Sequence, residues 1–568
     1  MPAIAISNND VAFIAWQLED KIANCLGFAI YRRDEAGDEK PLPAWVGFQG
    51  QTNPHWIPKT TKEWPVQKFT WRDLTAKHGE TYTYRIVPMT GTPGALTAQT
   101  AKQMVAGPVK ITEERGDFSA FFNRGILSTQ FLVHQLPQGP SGAPNYLKLK
   151  DRIDQPGDPL RERLSGQLRE AMLNLFKKAK TEEGQLFCAL YELTDPELEQ
   201  NLLEGKDFVH LILSNTGTDD AENEPARQAL HEAGLDITNR MVGSGHIGHN
   251  KFVVYVDKDG VPKEVWTGST NWTDTGLCAQ SNNGILIKSS ELAGMYLDYW
   301  KRLRADDSEQ GLPFRTENNH ERQAKTDEAE TPISLWFSPN TKRKSKPTDA
   351  PTPDDMEAVF AAMNGAKEAI LFLVFQPGSP SIVDEAGRIQ DAKPDLFIHG
   401  AATDPQAAKD YSTALFHKTG SHSEMDVVAA AAIDDQFGYW EKELLKSGPS
   451  AHAIIHDKIV VIDPFSENCA VITGSHNLGY RASYNNDENM LIIRGDRKLA
   501  EAYATHVMDI YDHYRWRFML QQKHAAAWNG LATDDSWQDK YFYSESASAR
   551  ELKFWMGAGG ASAHAAHP

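Results

Sequence analysis

The chain contains the stretch HDKIVVID at positions 456–463, followed by GSHN at 474–477. A second copy of the pattern lies earlier, as HNKFVVYVD at 249–257 followed by GSTN at 268–271. A single His-x-Lys carries little information, because it occurs often at the start of a surface strand. Two copies in the same order and at similar spacing are not expected by chance. The chain therefore contains a long internal repeat.

The repeated pattern predicts a strand followed by a tight turn. The apolar residues after each lysine are typical of a buried strand, on which residues i and i+2 face the same side. The glycine that opens each Gly-Ser-x-Asn permits close backbone approach, and the serine and asparagine offer polar groups to a ligand. If the two copies come together, they build one pocket from His249, Lys251, Ser269, Asn271, His456, Lys458, Ser475 and Asn477.

This set of side chains suits phosphoryl transfer through a covalent intermediate. One imidazole attacks and the other protonates the leaving group, while lysines and asparagines hold the phosphoryl oxygens. Because the lysines supply the positive charge, the sequence predicts no metal and no other cofactor. His246 and His452 precede the motifs, but no Asp, Glu or Cys accompanies them at ligand spacing. We interpret them as histidines of the core or of the pocket rim.

The two segments with their Gly-Ser-x-Asn partners resemble the HKD motifs of the phospholipase D superfamily, over roughly residues 115–520. The second copy is the closer match, because Arg481 and the triplet 486–488 stand where the family often has Arg and Asn-x-Glu. The first copy departs at Asp257, which arrives one residue later than Asp463 does in the second copy. That aspartate is largely structural in the family, so we expect a small bulge to absorb the extra residue.

A second departure concerns Asn282, which occupies the position of Glu488, eleven residues after the Gly-Ser-x-Asn asparagine. We expect Asn282 beside His249 and Glu488 beside His456. A carboxylate would raise the pKa of His456, as suits a general acid, and an amide would leave His249 neutral and nucleophilic. A similar split occurs in tyrosyl-DNA phosphodiesterases, which resemble this chain in that detail. His249 is therefore the predicted nucleophile, and His456 the predicted acid and then base.

The chain is long enough for several domains, since single cores seldom exceed ~250–300 residues. Short strands and turns over residues 1–112 predict a β-sandwich. Trp16, Gly27–Arg32 and a corner tyrosine at Tyr82 make it resemble a fibronectin type III module. Strands alternating with helices then predict two fused α/β halves, related by a pseudo-two-fold axis and layered α/β/α. Their predicted bounds are 113–310 and 332–520, with a charged linker at 311–331 and a C-terminal tail at 521–568 that ends in residues of disordered composition.

Charge and apolar content limit the classes of partner. A formal charge of −19 disfavours broad adhesion to nucleic acid. No stretch approaches the ~18 uncharged apolar residues of a membrane span. The start of the chain lacks the basic region of a Sec-type signal peptide, so we expect a cytoplasmic protein or one exported without such a signal. Four dispersed cysteines are typical of buried thiols in a reducing compartment.

Substrate class is the least specific part of the prediction. An extra stretch in the second half, including Ala401–Ser423 and the aromatic run 437–440, would shape the entrance and suits a lipid interface. We therefore expect a phospholipase D-type enzyme that hydrolyses phospholipid head groups at a membrane surface. The alternative is an endonuclease of the same superfamily, with nucleic acid as substrate. A third interpretation is a catalytically weak binding or scaffold protein, whose N-terminal module would bind an unknown protein partner.

Overall fold

The computed structural model describes residues 2–53, 57–125, 147–343, 350–403, 426–429, 455–521, 530–543 and 546–560. The chain divides into two compact units. The first consists of Met1–Glu113, Pro464–Ser466 and Gln522–Pro568, and the second of Glu114–Asp463 and Glu467–Gln521.

The first unit is built from short strands: β1 (Ala3–Ser7), β2 (Ala12–Trp16), β3 (Cys25–Arg33), β4 (Glu39–Pro41), β5 (Pro43–Ala44), β6 (Lys59–Thr60), β7 (Thr70–Asp73), β8 (Thr81–Thr92), β9 (Ala95–Ala98) and β10 (Met104–Lys110). One antiparallel sheet has the order β1-β2-β7 and another β10-β8-β3-β4, with β9 beside β8. Side chains of both sheets, among them Trp16 and Phe28, share one buried cluster. The Lys77 N–H donates to Tyr82 Oη at 3.3 Å, the contact expected of a corner tyrosine. The fibronectin type III resemblance as a whole stays a prediction.

The C-terminal segment is part of the first unit, so the prediction of a separate tail at 521–568 is wrong for its described part. It forms the helices Asp539–Phe542 and Ala547–Gly560. The indole N–H of Trp537 donates to the Cys25 carbonyl at 2.9 Å, and the ring centroid of Trp555 lies 3.9 Å from that of Phe13. These aromatic side chains bury enough apolar surface to outweigh the Gly/Ala/Ser-rich composition. The final residues 561–568, predicted to be disordered, lie outside the described residues.

The second unit contains two eight-stranded mixed sheets. The first comprises β11 (Glu114–Arg115), β12 (Phe118–Phe122), β13 (Gln185–Leu190), β14 (Val209–Ser214), β15 (Asp236–Arg240), β16 (Lys251–Val256), β17 (Pro262–Gly268) and β18 (Asn283–Lys288). The second comprises β19 (Arg322–Lys325), β20 (Pro332–Ser338), β21 (Ala369–Val374), β22 (Phe397–Ala402), β23 (Asp426–Ala429), β24 (Ile459–Ile462), β25 (Ala470–Gly474) and β26 (Glu488–Arg494).

Both sheets of the second unit have the same topology. Their strand orders are β11-β12-β18-β17-β16-β13-β14-β15 and β19-β20-β26-β25-β24-β21-β22-β23. In each sheet the last three strands run parallel to one another and the other pairs are antiparallel. We call the portion with β11–β18 the first half and the portion with β19–β26 the second half. Identical strand order is what an internal repeat predicts.

Helices cover both faces of each sheet. In the first half, the helix Pro159–Thr181 shares a hydrophobic cluster with Val253. The neighbouring Phe252 faces the other way and packs on Tyr296 of the helix Ser290–Ala305, with centroids 5.1 Å apart. Alternation along β16 thus sends successive side chains into two layers. The other helices of the unit are Leu147–Ile153, Pro196–Glu204, Gly217–Glu232, Asp274–Cys278, Leu312–Asn318, Asp354–Gly365, Ile382–Ala392, Tyr480–Asn485 and Arg497–Gln521.

The predicted linker at 311–331 is wrong, because it contains the helix Leu312–Asn318 and the edge strand β19. Arg315 of this helix is buried, and its guanidinium donates to the carbonyls of Gln310 and Tyr484 at 2.7 and 2.9 Å. The charge of this segment predicts exposure to solvent, yet backbone carbonyls accept hydrogen bonds from Nε and Nη1 of this buried cation. A charged segment is therefore a structured part of the second sheet's edge.

The predicted entrance at Ala401–Ser423 and at 437–440 lies outside the described residues, apart from positions 401–403. His452 lies outside them as well, and these expectations stay predictions. All four cysteines are buried and free, as the sequence indicated. None of the described helices combines the length and the apolarity needed to span a bilayer.

Candidate active site

The two motif histidines lie side by side in the interior of the second unit. The ring centroids of His249 and His456 are 6.5 Å apart, and the residues are 3% and 2% exposed. His249 lies two residues before the first residue of β16, and His456 lies three residues before the first residue of β24. The structure thus brings both copies of the repeated pattern into one site.

Each histidine is held by a side chain from the other half. His249 Nδ1 lies 2.9 and 2.8 Å from the two carboxylate oxygens of Glu488. His456 Nδ1 lies 2.9 Å from Oδ1 of Asn282. The expected pairing, with Asn282 beside His249 and Glu488 beside His456, is therefore wrong.

Backbone contacts between the halves account for the exchanged partners. The N–H of Asp487 donates to the carbonyl of Ile247 at 2.9 Å, so the residue after Asp487 meets the histidine two positions beyond Ile247. In the same way the N–H of His456 donates to the carbonyl of Ser281 at 3.0 Å, which places the residue after Ser281 beside the His456 ring. The residues just before β18 and just before β26 thus pair with the opposite half.

The hydrogen bonds fix the tautomer of both rings. An ionised Glu488 only accepts, so the proton of a neutral His249 lies on Nδ1. Asn282 Nδ2 donates to the Gly276 carbonyl at 2.9 Å, which turns its Oδ1 toward the N–H at Nδ1 of His456. In both rings, Nε2 is consequently the nitrogen left for chemistry.

A lysine and an aromatic ring flank each histidine. Each lysine donates to the carbonyl of its own motif histidine, at 2.9 Å for Lys251 and 2.7 Å for Lys458. The ammonium of Lys251 lies 4.9 Å from the ring centroid of Tyr191, and that of Lys458 lies 5.5 Å from that of Phe375. Sequence reasoning missed both aromatic residues. Their shared position, directly after β13 and β21, is the signal that could have found them.

Burial controls the protonation of the site. Removal from water lowers the pKa of His249 and of His456 well below the ordinary histidine value, and the charges of Lys251 and Lys458 lower it further. Burial also lowers the pKa of Lys458, with Lys251 as the next cause. It raises the pKa of Glu488 to about 7, against the opposing effect of Lys251. Both rings are neutral near pH 7 before a substrate binds.

The serines of the two Gly-Ser-x-Asn turns support other groups of the site. Ser269 Oγ donates to Asn282 Oδ1 at 2.7 Å, which helps to hold the amide that faces His456. Ser475 Oγ accepts from the Asn489 N–H at 3.0 Å and also lowers the pKa of Glu488 by hydrogen bonding, against the larger effect of burial. These serines orient the partners of the histidines.

The asparagines of the same turns lie in different environments, since Asn271 is buried and Asn477 is half-buried. Asn271 Nδ2 donates to the carboxylate of Glu192, which is 4% exposed. The Oδ1 atoms of Asn271 and Asn477 are buried and lack a hydrogen-bond partner among the described residues. Glu192 is a second site residue that sequence reasoning missed. Alignment of the two halves at β13 and β21 could have revealed it, because it stands next to Tyr191.

The two motif aspartates lie at the far end of their strands and have structural roles. Asp463 accepts the N–H groups of Glu368 and Ala369 at 2.8 Å each. Asp257 accepts the N–H of Val261 at 2.8 Å in the turn before β17. The register of β16 against β17 shifts between Tyr255 and Val256, where the extra residue was expected to form a bulge.

His246, the other histidine near the first motif, does not belong to a group of metal ligands. His246 Nδ1 lies 2.7 Å from Gln310 Oε1 and is half-buried, which fits a residue of the rim. Over the ranges that the structure describes, no group of three or more His, Cys, Asp and Glu side chains could hold a metal ion.

Comparison with protein families bears on the second half. The family described as "Cardiolipin synthase, PLD-like domain" matches residues 361–510, which include His456 and Glu488. This match supports the resemblance of the second half to the phospholipase D superfamily. No curated protein matches the chain.

Several solved structures are similar at low identity. Phosphatidylserine synthase from Haemophilus influenzae is 10% identical, covering 61% of this chain and 85% of that chain, with a TM-score of 0.40. The phospholipase D family member Nuc from Salmonella typhimurium is 23% identical, covering 24% and 86%, with a TM-score of 0.21. Polyphosphate kinase from Porphyromonas gingivalis is 10% identical, covering 60% and 48%, with a TM-score of 0.38. The chain thus spans about half the length of that kinase.

Proposed function

We propose that this protein is a metal-independent phosphodiesterase of phospholipase D type, which hydrolyses phospholipid head-group diesters through a phosphohistidine. The observation that carries the proposal is the pair of buried imidazoles, 6.5 Å apart between centroids and each tied at Nδ1. A phosphorus atom needs roughly 3–3.5 Å to an attacking atom before bond formation, so one diester fits between two such rings. The adjacent lysines would stabilise charge on its non-bridging oxygens.

We assign His249 as the nucleophile and His456 as the general acid. When Nε2 carries a phosphoryl group and Nδ1 keeps its hydrogen, the His249 ring is cationic, and Glu488 supplies the compensating charge. An amide beside His456 stabilises its cation less, so the proton is released more readily to a leaving group. The roles are those predicted from the sequence, but the reason is reversed, because the carboxylate serves the nucleophile.

The reaction then proceeds in two balanced steps. His249 Nε2 attacks phosphorus, the bond from phosphorus to the head-group oxygen breaks, and His456 gives its Nε2 proton to that oxygen. A water molecule next loses a proton to the neutral His456 while its oxygen attacks phosphorus. The phosphorus–nitrogen bond breaks, phosphatidic acid leaves, and His456 is protonated for another cycle.

Substrate binding itself would charge the acid. In the free site, burial and the two lysines hold the pKa of His456 low. An incoming phosphodiester brings a negative charge next to the ring and offsets the lysines, which raises that pKa. His456 would thus be protonated, and able to act as an acid, only when the diester is bound.

Phospholipid is favoured over nucleic acid by the charge of the chain. Affinity for a nucleic-acid backbone comes largely from Lys and Arg that neutralise successive phosphates. The chain has 58 Lys and Arg against 77 Asp and Glu. A single head-group diester requires only the local lysines of the site.

Release of phosphatidic acid from mixed phospholipid vesicles in EDTA tests the proposal, with folded His249→Ala as the matched control. Release by the wild type alone is the expected result. A parallel reaction with glycerol measures how far an alcohol competes with water for the intermediate. Absence of release from folded wild type, together with plasmid nicking that requires His456, would move the function to the endonuclease.

A further inference from the structure

Glu192 and Gln376 occupy matching positions in the two halves. Each is the second residue after its strand, β13 or β21, and each follows the aromatic residue that flanks a motif lysine. Glu192 is 4% exposed, whereas Gln376 is exposed to solvent. A carboxylate is thus buried on one side of the site, and the equivalent position on the other side carries no charge.

Glu192 orients the amide of Asn271. An ionised carboxylate only accepts hydrogen bonds, so the nitrogen of this amide faces Glu192. Asn271 Oδ1 then points away from the carboxylate, and this atom is buried with no hydrogen-bond partner among the described residues. A buried acceptor without a donor is costly unless a ligand supplies one. This side of the site therefore fits a group that donates hydrogen bonds, which a phosphate oxygen of a diester does not.

The charge of Glu192 also acts on the other half. It raises the pKa of Lys458, although burial lowers that pKa by more. Three buried carboxylates, Glu488, Asp457 and Glu192, thus act on Lys458, against the formal charges of the two lysines. A diester adds a further negative charge to this set. A cationic nitrogen on the same substrate would offset that negative charge, whereas a further phosphate would increase it.

We infer that Glu192 is a specificity-determining residue, which favours diesters whose head group carries an ammonium and disfavours those with anionic or uncharged head groups. The inference rests on the proposed function and extends it to the chemical class of the head group. The ammonium would lie near Glu192 and Asn271 Oδ1, while the two lysines hold the phosphate. In the second half, Oδ1 of Asn477 is also buried without a hydrogen-bond partner among the described residues, but the exposed and neutral Gln376 adds no negative charge there.

Separate micelles of phosphatidylethanolamine and phosphatidylglycerol test the inference through kcat/KM for phosphatidic acid release. We expect the wild type to prefer phosphatidylethanolamine by about tenfold or more, and Glu192→Gln to reduce this preference to about one, a loss of ~1.4 kcal/mol. The glutamine keeps an oxygen that accepts from Asn271 and removes only the charge. Glu192→Asp should retain the preference, and Gln376→Glu, a matched control at the exposed position, should leave it unchanged.

Equal losses on both lipids in Glu192→Gln would overturn the inference, since Glu192 would then only position Asn271. A wild type that hydrolyses both lipids equally would also overturn it and leave the proposed function intact. Failure of the proposed function has a different signature: neither lipid is hydrolysed, while bis(4-nitrophenyl) phosphate is cleaved in a reaction that requires His456. That result would reject both proposals.

Discussion

The two halves of the second unit share a strand order but differ in the side chains that surround their histidines. The first half contributes the amide of Asn282 and the second half the carboxylate of Glu488, and each contributes it to the histidine of the other half. Neither half could orient its own motif histidine alone. The comparison shows that a repeated backbone can fix where a site forms, while unequal side chains give its two sides different chemistry.

Removal of either motif histidine should have the largest effect on hydrolysis. His249→Ala and His456→Ala should each lower hydrolysis by about 10⁴-fold, since each removes a group that forms or breaks a bond. A covalent phosphatidyl–protein adduct should accumulate in His456→Ala and be absent from His249→Ala. Rapid quenching at alkaline pH followed by mass spectrometry measures it. An adduct found only in His249→Ala would exchange the two roles.

The loss of a buried ion pair that joins the halves should have the next largest effect, in this case on stability. Arg240 Nε lies 2.7 Å from Asp487, and Nη1 lies 2.9 Å from Asp306. The residue that matches Asp487 in the first half is the uncharged Ser281. Arg240→Met should lower the free energy of unfolding by about 3–5 kcal/mol, because it leaves buried carboxylates unpaired. Denaturant unfolding measures this loss, and adding Asp487→Asn should recover part of it.

The two partners of the histidines should respond differently to substitution. Glu488→Gln should lower kcat/KM by about 10²-fold, because the cationic intermediate loses its counter-charge. In the wild type, protonation of Glu488 removes that charge, so kcat/KM should fall as pH falls through about 7, the raised pKa of this carboxyl. The pH profile of Glu488→Gln should lack this acid limb. An acid limb unchanged in that variant would assign it to another group.

Asn282→Asp makes the two sides more alike and should move the pH profile in a predictable direction. A carboxylate beside His456 favours the charged form and raises its pKa. The upper pH limit of kcat, where the acid of the enzyme–substrate complex loses its proton, should therefore shift to higher pH. Measurement of kcat over the full pH range checks the shift, and a shift to lower pH would contradict the role of His456 as the acid.

Two matching hydrogen bonds join the halves, and the loss of either one should lower the free energy of unfolding only slightly and by a similar amount. Thr267 Oγ1 donates to Asn489 Oδ1 at 2.7 Å, and Thr473 Oγ1 accepts from Asn283 Nδ2 at 2.9 Å. Thr267→Val and Thr473→Val should each lower the free energy of unfolding by about 1 kcal/mol. Denaturant unfolding of the two variants compares them directly. Strongly unequal losses would show that the symmetry of the strand order does not extend to the interface.

Local patterns made much of the second unit predictable. The apolar residues that follow Lys458 form the predicted strand at Ile459–Ile462, and those that follow Lys251 lie in β16. Apolar periodicity marks such elements because each buries one or both faces within a short stretch of chain. The same reasoning failed at Arg315, whose charge concealed its burial, and at the C-terminal segment, whose apolar partners lie far away in the sequence.

Local sequence patterns were enough to identify the repeat, the histidines and lysines of the site, and the unequal pair Asn282 and Glu488. They could not identify the histidine that each partner holds, because equal spacing in both copies fits partners within a half or across halves. Backbone bonds between the halves, such as Asp487 N–H to the Ile247 carbonyl, select the crossed arrangement. Burial of Glu192 was decided in the same way, since exposure depends on packing around a position and not on its residue type.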